Sequence, residues 1–218
     1  MLIFEAGVMS LAHAHAIAVP VWGRRRLEQI FSMGTRVVTE QYRGSDDMDT
    51  STVHVSVLRD EVAAQLCMFD RGTYLDVTLG GGGHSAAILQ RVPNASVVAT
   101  DRDARALSRA TEKLAEFSPR LEILKASFSE LAATLDGRKF DGVIADLGIS
   151  SDQLAEGRGF SFADSSPLDM RMDESEALSA RQIVNEFDER ELYATLRRGG
   201  VGSEARPIAR AIVRTRPI

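Results

Sequence analysis

The sequence predicts an α/β fold, a parallel sheet with helices on both faces, and three observations carry that prediction. From about residue 53 to residue 147, short apolar runs suited to strands alternate with runs of helical pattern. Four consecutive glycines, Gly80 to Gly83, stand at the corner between one such strand and the following helix. An acid, Asp101, ends the next strand. A chain of 218 residues has room for one such domain and a small appendage.

The N-terminal 50 residues do not fit the alternation and read as a poorly ordered extension. "VMSLAHAHAIAVPVW" is apolar, but His13, His15 and Pro20 interrupt it, and no basic stretch precedes it as in a secretory signal. No stretch of the sequence is long and apolar enough to span a bilayer, so no membrane partner is expected. Residues 6 to 27 contain no acid and end in Arg24, Arg25 and Arg26, a faint likeness to a mitochondrial transit peptide. The expected location is cytoplasmic, and mitochondrial if residues 1 to 30 are such a peptide. His13 and His15 alternate with alanine and have no third ligand nearby, so no metal site is expected. Cys67 is the single cysteine, which excludes an internal disulfide and suits a small apolar core position. The net charge of -5 argues against gripping naked nucleic acid by bulk electrostatics but leaves a local basic face open.

The elements then follow in order. "RGSDDMDTST" (43 to 52) is polar, acidic and turn-rich, a linker. "VHVSVLRDEVAAQL" is a short apolar alternation followed by a helix. "TYLDVTL" (73 to 79) is a strand and "HSAAILQRV" (84 to 92) a helix; "ASVVATD" (95 to 101) is a strand and "DARALSRATEKLAEF" (103 to 117) a helix. "LEILKASF" (121 to 128), "FSELAATL" and "FDGVIADL" (140 to 147) supply a third strand, a short helix and a fourth strand. Right-handed crossovers between parallel strands put every carboxyl end on one rim, where ligands of such sheets sit.

Four positions on that rim are candidates. The glycines permit positive φ and close approach of a ligand to the backbone, and the helix after them points free N–H groups into the same space. A flexible turn with no ligand is the plain alternative. Asp101, about 20 residues past the glycines, suits a carboxylate that accepts from two ribose hydroxyls, as with NAD or S-adenosylmethionine; otherwise it is a helix N-cap with Asp103 behind it. Phe128 follows the third strand, either against an adenine or in the core. Asp146 ends the fourth strand before Gly148, Ser150 and Ser151, where a carboxylate would bind an ammonium group or accept from a substrate amine, or merely shape a turn.

The ordered motifs "HVSVLRDEV", "DVTLGGGGHS", "DRD", "DLGISSDQL", "RGFSF" and "PLDMRMD" resemble the bacterial small-subunit ribosomal RNA cytosine-N4 methyltransferase family, from about His54 onward. The resemblance implies a Rossmann-like class I methyltransferase sheet and an S-adenosylmethionine-dependent enzyme acting on N4 of a cytidine in small-subunit ribosomal RNA. It implies that Gly82, Gly83, His84, Asp101, Phe128, Asp146 and Gln153 bind the cofactor. The roles of His84 and Gln153 come from the resemblance alone. The family favours Asp146 on the methionine ammonium group; as a catalytic residue, Asp146 would instead accept from the cytosine amine.

Residues 51 to 150 are thus expected to form the cofactor-binding half, and 151 to 218 a loop and helical insertion for substrate recognition. In the loop, Arg158 and Arg171 are candidates for RNA phosphates, and Phe160 and Phe162 for stacking on a base or anchoring the loop. Asp188 and Ser203 are expected N-caps of the last two helices. Arg206, Arg210 and Arg214 form a basic stripe for RNA or a solvated face. The family continues past "RTRPI" with its remaining strands, so only the first four parallel strands are expected here. Two alternatives follow: a catalytically inactive cofactor-binding fragment, and an NAD-dependent oxidoreductase, which fits the glycines and Asp101 but explains nothing after Asp146.

Overall fold

The computed structural model describes residues 15–26, 59–67, 70–163 and 165–218. The linker at 43–52 and the apolar alternation at 53–58 lie outside the described residues. The chain divides at Ser150, and the two units, Ala14–Ser150 and Ser151–Ile218, are each compact.

The first unit is a sheet with strands β1 (His15–Arg26), β2 (Arg71–Asp76), β3 (Asn94–Asp101), β4 (Leu121–Lys125) and β5 (Lys139–Leu147) in the order β1-β5-β2-β3-β4. Strands β2 to β5 are parallel, as the alternation predicts. Their connections carry helices α1 (Arg59–Leu66, which precedes β2), α2 (Gly83–Arg91), α3 (Ala104–Lys113) and α4 (Leu131–Leu135). Successive strand residues serve opposite faces. Tyr74, Val97 and Ala99 pack with Val62, Leu66, Ile88, Leu89, Ala110 and Leu114 of α1 to α3 and the residue after α3. Leu75 and Val98 pack on the other face with Leu131 and Leu135 of α4. Two apolar cores, one per face, are what a doubly covered parallel sheet requires. Arg120 stitches one crossover shut: its guanidinium donates to the carbonyls of Leu89, Val92 and Ala95 and lies 5.7 Å from the Phe117 ring.

One difference concerns the expected N-terminal extension. Residues 15–26 form a strand, antiparallel to β5 from His15 opposite Leu147 to Arg26 opposite Lys139. The outer edge of β5 carries unpaired backbone donors and acceptors, and a pairing strand satisfies them. Pro20 does not forbid this, because an edge strand has one side free of partners and the register shifts between Pro20 and Arg25.

The second unit holds α5 (Ser151–Ala155), α6 (Ala180–Glu186), α7 (Glu189–Arg198) and α8 (Ala205–Thr215). Capping boxes start α6 at Ser179 and α7 at the expected Asp188. The cap of α8 is Glu204 rather than Ser203, and no side chain bonds there. Buried Leu192, Ala205 and Ala209 lie where α7 and α8 pack. Arg206 stacks on Tyr193 at 5.0 Å and Arg210 bonds Glu189 at 3.0 Å, so two members of the basic stripe have partners on the neighbouring helix.

The loop before α6 is braced from within. Arg158, 4% exposed, donates to the carbonyls of Arg171 and Met172 and pairs with Glu156 at 2.7 Å. Arg158 is therefore not available to RNA phosphates; burial has turned it into a loop anchor. Arg171 forks onto Asp169 with both bonds at 2.7 Å and also takes the carbonyls of Glu174 and Glu176. Phe160 lies under Arg158 at 5.6 Å, whereas Phe162 is fully exposed. The Arg171 hydrogen bonds hold the Asp169 carboxyl below the usual carboxylate range. A carboxylate whose folded pKa is depressed stabilises the fold above its unfolded pKa, about 3.9, and loses that contribution as pH falls through the folded value. Hydrogen exchange of residues 169–176 should accelerate as pH drops below about 4 beyond the intrinsic rate change, and Asp169→Asn should abolish that extra acceleration. An unchanged acid profile in the variant would remove the pair from any role in holding the loop.

Candidate functional site

β2 runs between β5 and β3, and the chain passes outward through β3 and β4 before returning to β5 on its other side. At such a switch point the connections leave in opposite directions and a crevice opens beyond the strand ends. The residues after β2 show the divergence: Val77 N–H donates to Ile144 O of β5, and Leu79 N–H donates to Thr100 O of β3, both at 3.0 Å. Gly82 N–H then closes a turn onto Leu79 O at 2.7 Å, and α2 starts at Gly83.

The glycine corner is pinned from two sides. The Asp101 carboxylate accepts from Gly80 N–H at 2.8 Å and from Asp103 N–H at 3.0 Å. Lys113 Nζ donates to Gly81 O at 3.1 Å. Gly82 adopts φ +75°, and a Cβ there would stand 2.7 Å from Leu114 Cδ1. Glycine at position 82 is thus required by both conformation and space. The N-cap of α3 is Asp103, whose carboxylate accepts from Arg105 N–H. The cap thus belongs to Asp103, and Asp101 is the strand-end carboxylate that binds the loop.

His84 lies in the first turn of α2, 4% exposed, and neither ring nitrogen has a hydrogen-bond partner. Its Nε2 is 3.6 Å from Asp146 Oδ2 at the end of β5. Orphaned buried nitrogens facing a partly exposed carboxylate are what a polar ligand would complete. Phe128 follows β4 and is 52% exposed, so it is not a core residue and leaves ring surface open to solvent. The structure therefore brings Gly82, Gly83, His84, Asp101 and Asp146 to the carboxyl ends of β2, β3 and β5. Gln153 lies on α5 in the other unit.

Sequence reasoning missed a second set at the same strand ends. Asp76, 1% exposed, accepts from Ser85 Oγ at 2.7 Å and from Thr78 N–H at 3.1 Å. Burial pushes its carboxyl up, against the Ser85 hydroxyl, the His84 ring and the Thr78 amide, which pull it down. Thr78 Oγ1 in turn accepts from Asp146 N–H at 2.6 Å. The available signal was an acid inside the apolar run "YLDVTL", since a buried charge must have partners.

These groups make a site for a neutral or cationic ligand bearing hydroxyls: carboxylates at two strand ends, a glycine turn open to close contact, and a helix start. Asp101 retains lone pairs beyond the two N–H bonds it accepts. The set fits an adenosine-bearing cofactor with an ammonium group, since the Asp101 carboxylate could accept from hydroxyls and the partly exposed Asp146 carboxylate could meet a cation.

Residues 51–218 match the model of the MraW methylase family. The chain is 46% identical over 166 residues to a "Ribosomal RNA small subunit methyltransferase H" of Picosynechococcus sp., covering 76% of this chain and 57% of that protein. Proteins of the same name from Acaryochloris marina and Koribacter versatilis are 44% and 45% identical over 76% of the chain, which covers 55% and 56% of their lengths. The chain thus spans little more than half the length of these relatives.

Proposed function

The chain belongs to the MraW methylase family, and from that premise we propose that it binds S-adenosylmethionine at the carboxyl rim of its sheet and serves methylation of N4 of a cytidine in small-subunit ribosomal RNA. The observation that carries the proposal is the glycine corner held by Asp101 beside a buried, unpartnered His84 that faces Asp146. The names of the relatives suggest the substrate class.

In this reading Asp101 accepts from the ribose hydroxyls with its spare lone pairs, and the first N–H groups of α2 and the backbone of Gly82 and Gly83 meet the cofactor at close range. Phe128 lies against the adenine. S-adenosylmethionine supplies a methyl group on a sulfonium, already activated for displacement. The protein's task is alignment of an amine with that methyl group. Asp146 fills one of two roles: it holds the ammonium group of the cofactor, or it accepts from the cytosine amine and localises the nitrogen lone pair. The small ribosomal subunit is the macromolecular partner, and the cytoplasm is the proposed compartment.

Calorimetric titration of the chain with S-adenosylmethionine and separately with NAD tests the cofactor. Heat with S-adenosylmethionine alone is the expected result. Binding of NAD in its place would overturn the proposal and return the glycine corner and Asp101 to a dinucleotide. Transfer of labelled methyl from the cofactor to isolated small subunits tests the reaction separately.

A further inference from the structure

We infer that Thr78 is a positioning residue, which sets the Asp146 carboxylate and through it the recognition of the amino-acid end of the cofactor. The inference rests on the cofactor reading above. Its origin is a gap in the sheet. The β2–β5 ladder ends where Asp76 lies opposite Ile144, with one further bond from Val77 N–H to Ile144 O. Beyond that point the chain after β2 turns toward β3 and the glycines, and no carbonyl of it takes the Asp146 amide. The hydroxyl of Thr78 does so instead, at 2.6 Å.

Thr78 is itself fixed. Its own N–H donates to Asp76 Oδ1, and Asp76 is buried and held on its other oxygen by Ser85 Oγ of α2. A continuous path of hydrogen bonds therefore runs from the first turn of α2 through Ser85, Asp76 and Thr78 to the end of β5. His84, next to Ser85 on α2, faces the Asp146 carboxylate at 3.6 Å. The side chain and the backbone of Asp146 are thus both referred to α2, one across His84 and one through Thr78. A carboxylate set this way at a rim is 22% exposed, open enough to meet a ligand ammonium group. Without the hydroxyl, the Asp146 amide loses its acceptor and the strand end its tie to α2.

Valine matches the shape of threonine and removes only the hydroxyl. The test compares wild type, Thr78→Val and Thr78→Ser by calorimetry with two probes, S-adenosylhomocysteine and methylthioadenosine. Both carry the adenosine and a thioether sulfur, and only the first carries the amino-acid end. Thr78→Val should weaken S-adenosylhomocysteine roughly tenfold and leave methylthioadenosine within about twofold, and Thr78→Ser should restore the first. Should Thr78→Val melt below the assay temperature, Thr78→Ala carries the same two-probe expectation. Equal weakening of both probes would mean general damage to the corner and overturn the inference, as would unchanged affinity for S-adenosylhomocysteine. A wild-type chain that binds neither probe would instead bring down the cofactor reading itself, and the inference with it.

Discussion

Asp101→Ala is expected to weaken S-adenosylmethionine binding about a hundredfold or more, to the edge of calorimetric detection. In the proposed site the carboxylate accepts from two ribose hydroxyls, and hydrogen bonds to a charged group contribute about 1.5–3 kcal/mol each. The substitution also frees Gly80 N–H, which the carboxylate holds at 2.8 Å, so the glycine corner loses one of its two external ties. Asp101→Asn keeps one carbonyl acceptor and should fall between, about tenfold below wild type. The cap of α3 is Asp103, so the helix should persist in both variants, and far-ultraviolet dichroism verifies that. An alanine variant that binds as well as wild type would detach Asp101 from the cofactor.

Gly82→Ala should lower the melting temperature by about 10 °C or more. Two costs combine at this position. A side chain at φ +75° adopts the left-handed region at about 1–2 kcal/mol. The new Cβ would stand 2.7 Å from Leu114 Cδ1, and relieving such overlap in a packed core costs about 1–3 kcal/mol. Leu114 is 2% exposed and packed among Ile88, Ala110 and Phe117, so it has little room to yield. Gly82→Val should be worse, since a branched side chain tolerates positive φ poorly. Leu114→Ala in the Gly82→Ala background removes the overlap and leaves the φ cost. The double variant should therefore be more stable than the sum of the two single losses, and simple additivity would show that Leu114 is not the obstacle.

The parallel sheet was legible because β2, β3 and β5 carry apolar runs punctuated by glycine and acids at their carboxyl ends. A buried strand reads that way whatever it pairs with. Asp101 was legible for the same reason: its offset from the glycines is a local quantity along the chain. Thr78 and Ser85 were not, because each acts on a group that only the fold brings near, Asp146 lying 68 residues beyond Thr78. Arg158 shows the converse error. An arginine in a polar loop suggests phosphate contact, yet here the carbonyls of Arg171 and Met172 take its guanidinium inward. The strand at 15–26 was missed because Pro20 and three consecutive arginines argue against a central strand, while an edge strand has none of a central strand's restrictions.

The order of the strands also has a kinetic side. β2 and β3 pair across a short crossover, as do β3 and β4, whereas contacts between β2 and β5 close a loop of 68 residues. Among the parallel pairings, closing the longest loop carries the largest entropic cost, so the β2–β5 seam is the parallel pairing that the chain gains last in folding. Asp101 and the glycines belong to the early side of that seam and Asp146 to the late side. A ligand that touches both acts as a clasp across it, and at a hundred times its dissociation constant such a clasp adds about 2.7 kcal/mol to the stability of the folded chain.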